Sequence, residues 1–305
     1  MPTSRDLFKA LFVGNATRPP FIPIVASAGA RLMQVPLREV YSDAGVMAKT
    51  LRDCQSLFGY DGILVFPDAT LEAEALGCKL DWTEDQPPTI AKTLTSLADL
   101  DVFGGDRSLT QGRLPKVIDA AAQLVESASS RCAILGSVNG PIAIAQEALP
   151  SEKLSPIIVE KIGEACHALA RGFFERRVDG IIVRESSLSS VPSAVYDALV
   201  KTFRTLKNLA QFYDVPLLLA IDDSSDLVDA LPVDGVSNGS WEAEKKGRTP
   251  WGAAISASDW DNDLEGQVRS LIEKADGGTY LTTKGEVPFA TPADRLHDLM
   301  DEIEA

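Results

Sequence analysis

The chain has 305 residues, 45% of them hydrophobic, and a net charge of −15 from 44 acidic against 29 basic side chains. That much apolar material can bury a large core, and an acidic balance with no cluster of Lys and Arg excludes nucleic acid as the expected partner. No apolar run approaches the ~20 residues that span a bilayer, and the opening MPTSRDLFKALFVGN is too polar for a secretory signal. The expectation is a cytoplasmic protein with no membrane partner.

Apolar runs bounded by turn residues predict eight strands, and the stretches between most of them carry helical periodicity. The first strand, 21–26, is followed by Ser27, Gly29 and Arg31, then by a helix from Val40 to Phe58. The second, 62–67, is the unbroken run Ile63, Leu64, Val65 and Phe66, stopped by Pro67. Asp68 stands where that strand opens into a loop, with Glu72 and Glu74 on a short helix closing at Gly77. Residues 79–114 lack helical periodicity and hold Pro87, Pro88, Gly104 and Gly105, which predicts an excursion over the mouth of the fold, a candidate lid.

A helix from Lys116 to Ser127 leads to the third strand, 132–138, and to Asn139 in GSVNGP. The helix Pro156–Arg176 precedes the fourth strand, 179–184, with Arg184, Glu185 and Ser186 at its end. After the helix Ala194–Tyr213, the fifth strand, 216–221, runs into Asp222 and Asp223, and DDSSDLVDAL leaves barely two helical turns before the sixth, 233–237, and Asn238. The seventh strand, 252–256, ends near Ser256 and Ser258, and the helix Leu264–Ala275 leads to the eighth, 278–283, with Lys284 and Glu286 after it. A helix from Thr291 to Ile303 closes the chain.

Strand alternating with helix implies an α/β protein with a parallel sheet, and eight repeats imply a closed (β/α)8 TIM barrel. The short link between the fifth and sixth strands leaves a doubly wound sheet as the alternative. No linker or repeat divides the chain, so residues 1–305 read as a single domain with 79–114 inside it.

In a barrel the residues just after each strand face one pocket. Asp68 leads among them, because a carboxylate there can anchor a substrate or cap the next helix. Glu72 and Glu74 fall on different faces of their helix, so one of them at most shares that pocket. Arg184 and Glu185 alternate across their strand, one toward the pocket and the other toward the helices. Arg184 suits a carboxylate or phosphate, or an ion pair with a neighbouring acid. Asp222 and Asp223 could raise one another's pKa, although DDSSDL also reads as an ordinary helix start.

GSVNGP permits close backbone approach to a ligand, yet no GxGxxG, GxxxxGK[ST] or GxSxG occurs. Cys54, Cys78, Cys132 and Cys166 lack metal-ligand spacing and read as small buried side chains. His167 reads as structural, and with His297 as the only other histidine a multi-histidine metal site is excluded.

Four segments together resemble the uroporphyrinogen decarboxylase superfamily, which includes cobalamin-dependent methyltransferases of the methylcobamide:coenzyme M type. They are TSRDLFKALF with RPPFIPIVASAGAR, then LVFPDATLEAEALGCKLDW, GSVNGPIAIA, and GGTYLTTKGEVPFATPADRLHDLMDEIE. The resemblance covers nearly the whole chain and implies a (β/α)8 barrel whose pocket lies at the carboxyl ends of the strands. It matches Asp68 to the decarboxylases' strand-end Asp. The two arginines that bind the porphyrinogen's acidic arms are replaced by Ala26 and Ala30, with Arg31 one place late. The zinc ligands of the thiol-methylating members fall on Ala220, Asp222 and the Lys284–Gly285 region, so no metal site is expected.

What the resemblance implies is methyl transfer between a corrinoid, carried by a partner protein rather than bound tightly, and a non-thiol acceptor such as a folate. The catalytic candidates are Asp68 and Asp222, and the substrate-binding candidates are Ser27, Arg31, Glu72, Asn139, Arg184, Asn238 and Lys284. Decarboxylation of a porphyrinogen or a smaller acid is the alternative, with Asp68 on pyrrole N–H groups and Arg31 and Arg184 on carboxylates. A catalytically silent barrel that binds a tetrapyrrole or corrinoid is the third reading. The substrate is a small molecule or tetrapyrrole, and a homodimer is an assembly common in the family.

Overall fold

The computed structural model describes residues 3–65, 68–84, 86–100, 105–221, 226–238 and 250–305. Each predicted strand forms: β1 (Phe21–Ile22), β2 (Gly62–Val65), β5 (Ala133–Asn139), β6 (Gly180–Glu185), β7 (Leu217–Ile221), β8 (Gly235–Asn238), β9 (Trp251–Ile255) and β10 (Thr279–Thr283). Two short strands, β3 (Lys79–Asp81) and β4 (Thr89–Lys92), pair antiparallel in a separate hairpin. The eight barrel strands are parallel, in the order β1-β10-β9-β8-β7-β6-β5-β2, so the fold is a nearly closed (β/α)8 barrel rather than a doubly wound sheet. Phe66 and Pro67, at the end of the second predicted strand, lie outside the described residues.

Side-chain alternation explains why the strands read as continuous apolar runs. Ile63, Val65, Ile134, Val138, Ile181, Val183, Leu217, Leu219 and Leu281 belong to the layer under the helices. Leu64, Leu135, Ile182, Leu218 and Tyr280, their neighbours in sequence, fill the barrel interior with Ile22 and Ile24. Both faces are covered, as a parallel sheet requires. The helix Ser4–Ala10 seals the amino-terminal end by packing Phe8 into the interior cluster.

The helices Ala44–Phe58, Leu114–Ala128, Pro156–Glu175, Tyr196–Phe212, Leu264–Ile272 and Ala293–Glu304 lie near the predicted bounds. The predicted Val40–Phe58 helix is split at Asp43, an extended residue whose carboxylate caps the second piece by accepting from Val46 N. The helices Ser27–Leu32 and Pro141–Ala148 were not expected. Both are too short, and too rich in Ala and Gly or Ile, to show clear periodicity. Among the described residues no helix is long and apolar enough to cross a membrane.

The seam between β1 and β2 is held differently from the other joints. Asp61, fully buried just ahead of β2, donates from its N–H to Phe21 O at 2.8 Å, and its carboxylate accepts from Phe21 N at 2.8 Å. Arg18 grips the same carboxylate with two hydrogen bonds of 2.7 and 2.9 Å. Removing the charge from such a buried, bidentate pair leaves a guanidinium unmatched. Asp61→Asn is therefore expected to lower the free energy of unfolding by about 2–3 kcal/mol in urea titration.

Candidate functional site

A cavity of about 210 Å³ opens at the carboxyl ends of the strands. Its floor is apolar, from Ile24, Leu64, Ile182, Ala220 and Ala254, and its wall is polar, from Asn139, Arg184, Glu185, Ser237, Thr282 and Lys284. The alternation that builds the barrel also aims these residues. Arg184 continues the inward face of Ile182, Asn139 that of Leu135, and Lys284 that of Tyr280 and Thr282.

Glu185, on the opposite parity to Arg184, turns its carboxylate onto the amino terminus of the helix Pro141–Ala148. It accepts from Ile142 N at 3.0 Å and Ala143 N at 2.9 Å while still lining the cavity. Exposed N–H groups at a helix start favour an anion there. Burial works against the charge more strongly, and the Glu185 pKa is pushed up to about 7. Gly140 permits this approach, because a Cβ there would meet Glu185 Cδ at 2.2 Å.

Glu72 lies behind Asn139. Its Oε1 accepts from Asn139 N at 2.7 Å, and its Oε2 accepts from the Asn139 side-chain amide, which also donates to Asp68 O at 2.9 Å. Burial again dominates over these hydrogen bonds and raises the Glu72 pKa to about 7. The Cys166 thiol donates to Asn139 O at 3.3 Å, and burial raises its own pKa well above the usual thiol value.

Asp68 is buried but does not line the cavity. Its Oδ1 accepts from Thr70 N at 2.8 Å and Thr70 Oγ1 at 2.9 Å, and its Oδ2 pairs with Arg113 Nη1 at 2.5 Å. Arg113 also bonds Glu74 through Nε at 2.7 Å and Thr70 through Nη2 at 2.9 Å, and its guanidinium lies 5.1 Å from the Trp82 ring.

The expected wall placements of Asp68, Glu72, Ser27 and Arg31 are therefore corrected. The Asp68 carboxylate is turned to Arg113, and Glu72 sits one residue behind the wall. Ser27 is buried and donates from its N–H to Glu286 Oε2 at 2.8 Å. Arg31 reaches the closing loop, donating to Phe289 O at 2.5 Å and to Thr291 O.

Asn139, Arg184 and Lys284 do stand on the wall. Asp222, Asp223 and the Asn238 side chain lie outside the described part of the structure, although Asn238 itself ends β8. The excursion 79–114 contributes the β3–β4 hairpin and short helical turns at Leu97–Asp99 and Gly105–Thr110, and none of its described residues lines the cavity. Part of it packs outward, on the helix Pro156–Glu175, where Leu109 lies beside Gly172.

Sequence reasoning missed Arg113, Gln146 and Glu147. A cation next to the amino terminus of the helix Leu114–Ala128 is unfavourable on its own, so its position alone asks for carboxylate partners. Gln146 and Glu147 end the apolar stretch PIAIA and stand at the exposed rim.

His167 is held through Nε2 against Thr202 O at 3.0 Å, and the four cysteines are buried and free. Ala220 brings no donor atom to the cavity. Among the described residues no group of three or more His, Cys, Asp and Glu is placed to hold a metal ion.

A parallel barrel with its polar cavity at the strand carboxyl ends belongs to the class of (β/α)8 proteins that keep their site on the loops after the strands. Within that class the chain belongs to the uroporphyrinogen decarboxylase (URO-D) family, whose family model matches residues 3–274. It is similar to the methylcobamide:CoM methyltransferase MtbA of Methanosarcina mazei, with 27% identity over 162 residues, 50% of this chain and 48% of that one. The Methanosarcina acetivorans MtbA is 25% identical over 197 residues, 60% of this chain and 58% of that one. The chain thus spans about half the length of the curated relatives it matches. A solved methyltransferase structure from Methanosarcina mazei superposes with a TM-score of 0.81 at 17% identity, covering 100% of this chain and 99% of that one, a likeness of fold.

The raised acids generate a pH prediction. A carboxyl that titrates near 7 when folded and near 4.5 when unfolded binds more protons in the native state between those values, so its contribution makes stability fall as pH rises through that window. Glu72→Gln, which keeps the shape without the titration, is expected to flatten the decline in urea-unfolding free energy between pH 5 and pH 7.5. An unchanged slope would mean that Glu72 does not titrate there.

Proposed function

We propose that this chain is a methyl-transfer enzyme that moves a methyl group between a corrinoid, carried by a partner protein, and a non-thiol acceptor held in the strand-end cavity. The observation that carries the reading is the pairing of similarity to methylcobamide:CoM methyltransferases with a cavity wall in which Ala220 and Lys284 offer no thiolate or imidazole. A zinc ion of the kind that activates thiols does not fit such a donor set, and no step is drawn through one.

A corrin ring is too large for about 210 Å³. The residues present fit a corrinoid only as a face brought to the mouth, where Ala69, Gln146, Glu147 and Lys284 are exposed. Bound there, a methylated corrinoid supplies an electrophilic methyl, and the acceptor supplies the electron pair.

The protein's own contributions are positional and electrostatic. Arg184 and Lys284 hold the acceptor, Asn139 offers it an amide oxygen while its two amide hydrogens are held by Glu72 and the Asp68 carbonyl, and Glu185 exchanges a proton near neutrality. Asp68 acts through Arg113 and Asn139 as a positioning residue. Asp222, next after the β7 strand end, remains a candidate for the same wall. A folate would enter this cavity with one end only. The decarboxylase alternative loses one of its carboxylate clamps, because Arg31 is engaged with the carbonyls of Phe289 and Thr291.

The test is incubation of the purified protein with methylcobalamin and either tetrahydrofolate or 2-mercaptoethanesulfonate, followed by cobalamin absorbance. Transfer to tetrahydrofolate but not to the thiol is expected, and Arg184→Gln should lower kcat/KM about 10- to 100-fold, the loss of one charge-assisted contact. Transfer confined to the thiol, or conversion of uroporphyrinogen in a parallel incubation, would overturn the reading.

A further inference from the structure

The two cations on the cavity wall stand in a particular relation. In the ring order β1-β10-β9-β8-β7-β6-β5-β2, the strands β6 and β10 are separated by three strands on either side. Arg184 on β6 and Lys284 just after β10 therefore rise from opposite walls, and both are inward-facing lining residues. Ala220 is the register partner of Arg184 on the next strand and lines the same cavity. Of the two acids that share the lining, Glu185 is turned onto the start of the helix Pro141–Ala148 and Glu147 stands at the exposed rim, so the two cations are the groups placed to meet an anion between the walls.

Volume sets the size of that anion. Liquid water occupies about 30 Å³ per molecule, so a cavity of about 210 Å³ holds roughly seven waters, or a ligand of about seven to ten non-hydrogen atoms. The guanidinium has five N–H donors and the ammonium three, so each can bond a ligand carboxylate alongside whatever protein groups it also contacts. Below them Ile24, Leu64, Ile182 and Ala254 offer only hydrocarbon. A short carbon chain suits these side chains, while Ser237 and Thr282, level with Ala220 and Ala254 on the neighbouring strands, set hydroxyls beside it.

We infer that the strand-end cavity binds a small carboxylate, held at its charged end by Arg184 and Lys284 from opposite walls, with its short carbon chain on the apolar floor. This rests on the methyl-transfer reading only in taking such a carboxylate as the anchored end of the acceptor; the binding itself does not depend on it.

The test is isothermal titration of the full chain with butyrate, succinate and the neutral isostere butyramide. At least one carboxylate is expected to bind, with butyramide at least tenfold weaker. Arg184→Gln and Lys284→Gln should each weaken carboxylate binding at least tenfold, with the thermal midpoint unchanged. Lys284 is exposed, so Lys284→Gln gives a folded variant even where Arg184→Gln is unstable.

No binding of either carboxylate, equal binding of butyramide, or wild-type affinity in Lys284→Gln would overturn the inference. Carboxylate binding at this site in a protein that transfers no methyl group from methylcobalamin to tetrahydrofolate would uphold it and sink the methyl-transfer reading instead. Methyl transfer to tetrahydrofolate by a protein that binds no small carboxylate would do the reverse.

Discussion

The guanidinium of Arg113, almost wholly buried, is the interaction around which the acidic end of the second strand is organised. It holds Asp68, Glu74 and the Thr70 hydroxyl at once and lies against the Trp82 ring. A buried charge of this kind is tolerable only when its partners are complete. The residues in between are constrained as a result: the turn at Asp68 and Thr70, the short helix Leu71–Ala75 that carries Glu72, and the entry to the helix Leu114–Ala128. Because Asp68 is held in place, its carbonyl can receive the Asn139 amide, and that amide meets the cavity. The hold on the wall thus begins about two residues behind it.

The adjoining part of the wall is organised by proximity of backbone. Gly140 lets Glu185 close on the helix Pro141–Ala148, and the chain rises from β5 into that helix without a side chain in between. Cys166 lies near both raised acids, Glu72 and Glu185, whose charges add to the burial that raises its thiol pKa. Two carboxyls with pKa near 7 on either side of one strand end make the buried charge of this region sensitive to protonation in the neutral range. Of the wall cations, Arg184 precedes Glu185 on β6 and Lys284 follows β10.

Much of the barrel is legible in the sequence, because a parallel strand covered on both faces must be apolar at every position. IIVRE and LLLAI show this at β6 and β7, and the long helices show their periodicity equally openly. The site is legible only in part. Strand-end position identifies Asn139, Arg184 and Lys284, since the barrel makes that position equivalent to facing the pocket. It fails for Asp68, because a carboxylate so close to the wall was taken by a cation 45 positions away in sequence, a pairing that no local spacing encodes. Ser27 and Arg31 fail for a related reason: the closing loop folds back onto them, with Val287 N bonded to Ile24 O at 2.8 Å. For Arg184 and Glu185 the two-residue period of a strand gives the sense of each side chain, but not that Glu185 would remain part of the lining while capping a helix.

The seam at Asp61 has a mechanical consequence. Among the described residues β1 is laddered to β10 but hydrogen-bonds toward β2 only through Asp61, by its backbone N–H and its carboxylate, so the barrel is a curled strip joined at its ends by one residue's hydrogen bonds. Ile24 and Lys284 sit toward one end of the strip, joined through the β1–β10 edge, and Leu64 and Asn139 toward the other. Among the described residues the ring is thus closed at this joint by one backbone hydrogen bond and one carboxylate, where the other joints are laddered.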